Sequence, residues 1–192
     1  MALPARKLAT LEDLLRAEDA GRRVEIIDGE LVEKEAGGRR HASVHTSVPL
    51  ALAPPFRGRG GGDRPGGWEF MIECHVLAPA GDVVMPDVAG WRRERAPTTD
   101  EFPVSVAPDW VCEVVYTTHA RDLGRKREIY QQMGVPHYWV LDLKGNILMV
   151  FRHTPQGYLH VQTAAPGDRA RLEPFDAVEL PVWELFGLED PP

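Results

Sequence analysis

Two runs of the sequence are too apolar to be strands with one wet face. They are Val83-Val84-Met85-Pro86-Asp87-Val88-Ala89 and Trp110-Val111-Cys112-Glu113-Val114-Val115. Strands of this kind are covered on both faces, which demands a sheet with helices above and below it. Each run also carries one carboxylate, Asp87 or Glu113. A carboxylate in such a strand is costly to bury unless a metal, a cation or a hydrogen-bond network holds it. These two acids therefore constrain both the fold and what the fold is for.

The rest of the chain supplies the covering layers. The spacing predicts a short helix after Thr10, which forms a capping box with Asp13 ahead of Leu11, Leu14 and Leu15. Asp28-Gly29 between apolar runs predicts a hairpin over 24–32. Val44, Val48 and Leu52 recur every four residues and predict a helix from Arg40 to Leu52, weakened in its second half by Pro49. Residues 57–67 hold three arginines among glycines and predict an irregular loop rather than a phosphate-cradling motif. Strands follow near 68–77, 82–91, 110–115, 137–143, 147–153 and 158–163, with a helix at 120–133 ending at Gly134 and a short docking helix in the tail. This order of elements predicts a mixed α+β fold with one central sheet flanked by helices. A length of 192 residues suits a single domain spanning 1–192.

Charge limits the function classes. There are 22 Lys+Arg against 29 Asp+Glu, a net charge of −7. Such a chain meets nucleic acid only through local basic patches or a bound metal. Cys74 and Cys112 both fall in predicted strands and read as small buried hydrophobes of a reducing compartment. No secretory signal and no run of about 18 apolar residues occurs, so the expectation is a cytoplasmic protein with no membrane span.

A third residue joins the two acids. On the 120–133 helix, Leu123, Ile129, Tyr130 and Met133 define an apolar arc, and Lys126 projects into its middle. The alternative is an exposed Asp122–Lys126 pair worth about 0.2–0.5 kcal/mol, but the arc turns Lys126 toward the sheet. Paired carboxylates bind Mg²⁺ or Mn²⁺ through oxygen. The cation activates water and stabilises charge on a phosphate, and a nearby lysine can orient that water. Asp87, Glu113 and Lys126 together predict a metal-dependent phosphodiesterase centre. His41 and His45, at i and i+4, lack a third ligand in the sequence and read as polar-face histidines rather than zinc ligands.

Several segments resemble the Uma-two family of restriction-endonuclease-like proteins, a branch of the PD-(D/E)xK nuclease superfamily. They are Glu25-Ile26-Ile27-Asp28-Gly29-Glu30-Leu31, His41, Pro86-Asp87-Val88, Pro108-Asp109-Trp110-Val111-Cys112-Glu113-Val114, Arg121-Asp122 through Lys126 to Tyr130, and Gly134-Val135-Pro136-His137-Tyr138-Trp139. The resemblance implies a restriction-endonuclease-like core with Asp87 and Glu113 as metal ligands. The superfamily's lysine usually stands two residues after the acid, where this chain has Val115; members that take it from the following helix match Lys126. The family's Ser-Pro-Ser/Thr segment is replaced here by Tyr116-Thr117-Thr118-His119, which sets a bulky ring at the mouth of the site.

The reading is a Mg²⁺- or Mn²⁺-dependent endonuclease acting on DNA. Asp87 and Glu113 hold the metal and Lys126 serves the water. Asp122, Tyr130, His41 and Tyr116 are accessory. Arg92, Arg93 and Arg95 either bind phosphates or form a solvated loop. The alternatives are a catalytically impaired nucleic-acid-binding or assembly module on the same fold, or an RNA-directed nuclease. The apolar tail residues Trp183, Leu185, Phe186 and Leu188, with the two-fold symmetry of a duplex, suggest a homodimer.

Overall fold

The computed structural model describes residues 8–34, 38–98, 100–116 and 120–192, and within them all side chains except those of 120–123. Chain order runs α1 (Leu11–Asp19), β1 (Val24–Ile27), β2 (Glu30–Glu33), α2 (Arg39–Phe56), β3 (Trp68–Ile72), β4 (Val76–Leu77), β5 (Val83–Val84) and β6 (Val88–Arg92). It continues through β7 (Trp110–Val115), α3 (Ala120–Gln132), β8 (His137–Asp142), β9 (Ile147–Thr154), β10 (Gly157–Ala164), β11 (Arg169–Ala170), β12 (Leu180–Pro181) and α4 (Val182–Leu185).

The main sheet has six strands in the order β10-β9-β8-β7-β6-β3. Only β7 and β8 pair in parallel; their crossover is α3. Side-chain alternation along β7 sorts the two layers. Trp110, Cys112 and Val114 pack with Val44, Val48, Leu52 and Phe56 of α2 and with Leu185 of α4. Val111 packs with Ile129 and Tyr130 of α3. The sheet is mixed and covered on both faces, as the two apolar runs require.

Four strands, β2-β1-β5-β4, form a second sheet. Its β1–β2 hairpin turns at Asp28 (φ 52°) and Gly29 (φ 72°). Two positive φ values in succession are what a type I′ turn needs, and Asp-Gly supplies them cheaply. The capping box of Thr10 and Asp13 is present on α1.

Two expected strands are broken, and the breaks matter. Residues 68–77 divide into β3 and β4, and 82–91 into β5 and β6, each half lying in a different sheet. One long hairpin thus crosses from the large sheet to the small one. The chain bends at Glu73 (φ 52°) on one arm and at Met85-Pro86-Asp87 on the other. Pro86 has no N–H to continue a ladder. The bend is tied by the Glu73 N–H, which donates to the Asp87 carbonyl at 3.2 Å. Cys74 lies in this bend rather than in a strand; it and the buried Cys112 are both free thiols.

Pro49 does not end α2, which runs to Phe56 through Pro49, Pro54 and Pro55. Val44, Val48, Leu52 and Phe56 are almost wholly buried. At about 1.5–3 kcal/mol for each such side chain, the stripe outweighs the roughly 3 kcal/mol of an internal proline. In the tail, Phe175 stands among the rings of Phe56, Trp68, Phe70, Trp110 and Trp139, with centroids 4.9–5.8 Å away. Leu185 and Phe186 are buried in the same core. Two of the four tail residues on which the expected homodimer rested are thus taken up by the core, while Trp183 is half-buried and Leu188 exposed. No helix among the described residues is long and apolar enough to cross a membrane.

Candidate functional site

The bend in the long hairpin places Asp87 beside the middle of the main sheet. β6 and β7 pair antiparallel with Val88 opposite Cys112, so Asp87 stands one step further on, level with Glu113. Asp87 Oδ2 accepts the Val114 N–H at 2.7 Å. Both carboxylates are buried, at 1 % and 4 % exposure.

Lys126 reaches this point from α3. Its Nζ lies 2.6 Å from Glu113 Oε1 and 3.0 Å from Glu25 Oε1. The Tyr130 hydroxyl, one turn on, donates to Glu113 Oε1 at 2.5 Å. The Lys126 side chain therefore points into the sheet, as its place on the helical arc predicts. Glu25 is itself buried on β1 and accepts the Met85 N–H at 2.6 Å. The Met85 carbonyl receives two ammonium groups, Lys34 at 2.6 Å and Lys126 at 3.4 Å. Lys34 also stands 2.7 Å from Asp87 Oδ1 as an ion pair.

On the opposite face α2 presents His41 and His45. The His41 Nε2–H donates to the Val114 carbonyl at 3.0 Å, and Nε2 lies 3.8 Å from Asp87 Oδ2. His45 Nε2 lies 3.6 Å from both Asp87 Oδ1 and Glu73 Oε1. Glu73 Oε1 is also ion-paired with Arg23.

The electrostatics follow from burial and from these pairs. Burial pushes the Asp87 carboxyl up, but Lys34 and then Lys126 outweigh it and hold the group down at about 2. For Glu113 burial wins and raises it above the usual carboxylate range, against the pull of Lys126. Burial alone would push Lys126 down; the Glu113, Glu25 and Asp87 charges reverse that and keep it protonated. Burial lowers His45, against the Asp87 charge. The neutral ring has a lone pair to offer.

These residues fit a divalent cation. Asp87 Oδ1 and His45 Nε2 are buried and make no aligned hydrogen bond among the described residues. Polar atoms of that kind are rare in folded proteins unless an ion or water serves them. His45, Glu73 and Asp87 also bring their ligand atoms within 4.8 Å of one another.

The structure thus brings together Asp87, Glu113, Lys126, Tyr130 and His41. Tyr116 follows β7 directly and is exposed. Asp122 lies on α3, with its side chain outside the described residues. The three arginines go elsewhere. Arg92, Arg93 and Arg95 sit at or past the far end of β6, about five strand residues or roughly 16 Å of rise from Asp87. Arg92 lies over the Trp68 ring, 4.2 Å from its centroid, and Arg95 pairs with Asp109. Sequence reasoning missed Glu25, Lys34 and Glu73, and it set His45 aside as a polar-face residue. Glu25 carries the signal used for the other acids, a carboxylate inside Val24-Glu25-Ile26-Ile27. Lys34 and Glu73 carry no local signal, because only the hairpin bend brings them in.

Comparison with known proteins gives a family and a fold neighbour. A family model described as "Uma2: Putative restriction endonuclease" matches residues 10–182. The crystal structure of a "putative nuclease belonging to DUF820" from Anabaena variabilis ATCC 29413 is similar in fold, with a TM-score of 0.67. The two are 17% identical over 92% of this chain and 97% of that one. No curated protein matches the chain.

Proposed function

The chain belongs to the Uma2 family of restriction-endonuclease-like proteins, and from that premise we propose that it is a Mg²⁺- or Mn²⁺-dependent endonuclease acting on DNA. The observation that carries the reading is the Lys126–Glu113 contact at 2.6 Å, beside an Asp87 carboxylate locked to the next residue of the same strand. Asp87 and Glu113 would hold the cation. Bound there, it would lower the pKa of a water and stabilise charge on the phosphate.

The chain's own groups do the rest. Lys126 stays charged and can orient the attacking water or meet developing negative charge. Tyr130 and Lys126 both hold Glu113 Oε1, and the other oxygen would turn toward the cation. His41 holds the Val114 carbonyl and so steadies the strand edge between the two acids. Tyr116, exposed just beyond, stands where substrate would enter.

The test is cleavage of supercoiled plasmid, single-stranded DNA and RNA with Mg²⁺, Mn²⁺ or EDTA. The expected result is metal-dependent cutting of DNA that Glu113→Gln lowers at least about a hundredfold. Cutting of RNA alone would move the substrate class. Tight DNA binding without cleavage at saturating metal would favour a non-catalytic module on this fold.

A further inference from the structure

Around Asp87 the two oxygens serve different neighbours. Oδ2 is fixed by the Val114 N–H at 2.7 Å, whereas Oδ1 faces His45, which approaches from α2 at 3.6 Å. Glu73 completes the group from the other arm of the hairpin bend, with Oε1 also 3.6 Å from His45 Nε2. Ligand atoms held at about 2.1 Å by one ion stand about 3.0 Å apart in an octahedral arrangement and about 3.4 Å apart in a tetrahedral one. The two 3.6 Å separations from His45 Nε2 need only a small inward adjustment, and the Asp87 and Glu73 oxygens lie within 4.8 Å of each other.

Two cations now occupy the edges of this group. Lys34 stands 2.7 Å from Asp87 Oδ1, and Arg23 pairs with Glu73 Oε1. Neither serves His45 Nε2, and neither gives Asp87 Oδ1 an aligned hydrogen bond. Arg23 is 41% exposed and can swing into water. Lys34 retains the Met85 carbonyl as a partner when it leaves Asp87.

We propose that His45, Asp87 and Glu73 form a second cation position, distinct from the Asp87–Glu113 position, that selects a borderline transition metal over Mg²⁺. The inference rests on the reading above in that the two positions share Asp87. An imidazole in the ligand set favours Mn²⁺, Co²⁺ or Zn²⁺, because Mg²⁺ prefers oxygen ligands and water. Lys34 acts as the competing charge: it neutralises Asp87 when no metal is bound.

The test is a Co²⁺ titration of the full chain after EDTA stripping, read by visible absorption and by calorimetry, with Mg²⁺ in parallel. The wild type should bind Co²⁺ at least about tenfold more tightly than Mg²⁺ and develop a ligand-field band. His45→Ala should weaken Co²⁺ at least about tenfold, and Glu73→Gln should also weaken it. Lys34→Met should tighten it, a sign that no loss of folding can mimic. Glu113→Gln should keep the band. Thermal melting in EDTA checks that each variant is folded. Co²⁺ affinity and spectrum unchanged in His45→Ala, or no Co²⁺ binding by the wild type, would overturn the second position. Loss of the band in Glu113→Gln would do the same. Failure of the nuclease reading shows separately, as cleavage that survives EDTA or Glu113→Gln.

Discussion

Lys126 answers to three carboxylates. Glu113 and Glu25 lie within 3.0 Å of its ammonium, and the Asp87 charge acts on it as well. Removing one partner of a buried ionic group is far costlier than never having built it, typically about 3–5 kcal/mol, because the remaining charges are left desolvated. Lys126→Met should therefore lose about that much stability in urea denaturation with EDTA present. Saturating Mn²⁺ should restore part of it, since a divalent ion between the acids replaces the missing positive charge. An unchanged midpoint in EDTA would mean that Glu113 and Glu25 take up protons at little cost. The sequence makes Lys126 legible through its place on the helical arc. It does not reveal Glu25 as a second partner, because β1 lies about a hundred residues away in the chain and no local pattern ties it to α3.

At the scale of elements, the long hairpin is the device that builds the site. Periodicity reads 68–77 and 82–91 as continuous strands because apolar residues dominate both. It has no means of seeing that each is divided between two sheets at Glu73 and at Pro86. The bend that sequence misses is the one that turns Asp87 and Glu73 toward α2. The same difficulty runs in reverse along α2. There Pro49 signals a break, and the buried stripe from Val44 to Phe56 overrides it. Because the helix is held from outside rather than by its own propensity, relief of the proline should show as added stability. Pro49→Ala is expected to raise stability by about 1–3 kcal/mol, with a higher melting temperature and an unchanged denaturant slope. A fall in stability would mean that Pro49 packs in a way no smaller residue reproduces.

For the molecule as a whole, the buried acids set how stability follows pH. The fold class is legible from the two apolar runs alone, since a sheet covered on both faces is the only home for them. The response to acid is not, because it depends on which carboxylate pairs with which lysine. Asp87 has its pKa lowered to about 2 from 3.8. A depressed carboxylate stabilises the fold at pH above its unfolded value, and that contribution is lost as pH falls through its folded value. The difference is worth about 2 kcal/mol, lost between about pH 4 and pH 2. Glu113 runs the other way. Its raised pKa means that protonation relieves a buried charge, so its contribution grows as pH falls below its folded value. Acid unfolding in EDTA should therefore be shallow until Asp87 titrates and steeper below. Asp87→Asn should flatten the pH 2–4 slope, and it should lower stability at pH 7, where the Lys34 ammonium loses its partner. A profile of equal steepness in the variant would show that surface carboxylates, not Asp87, govern the acid limb.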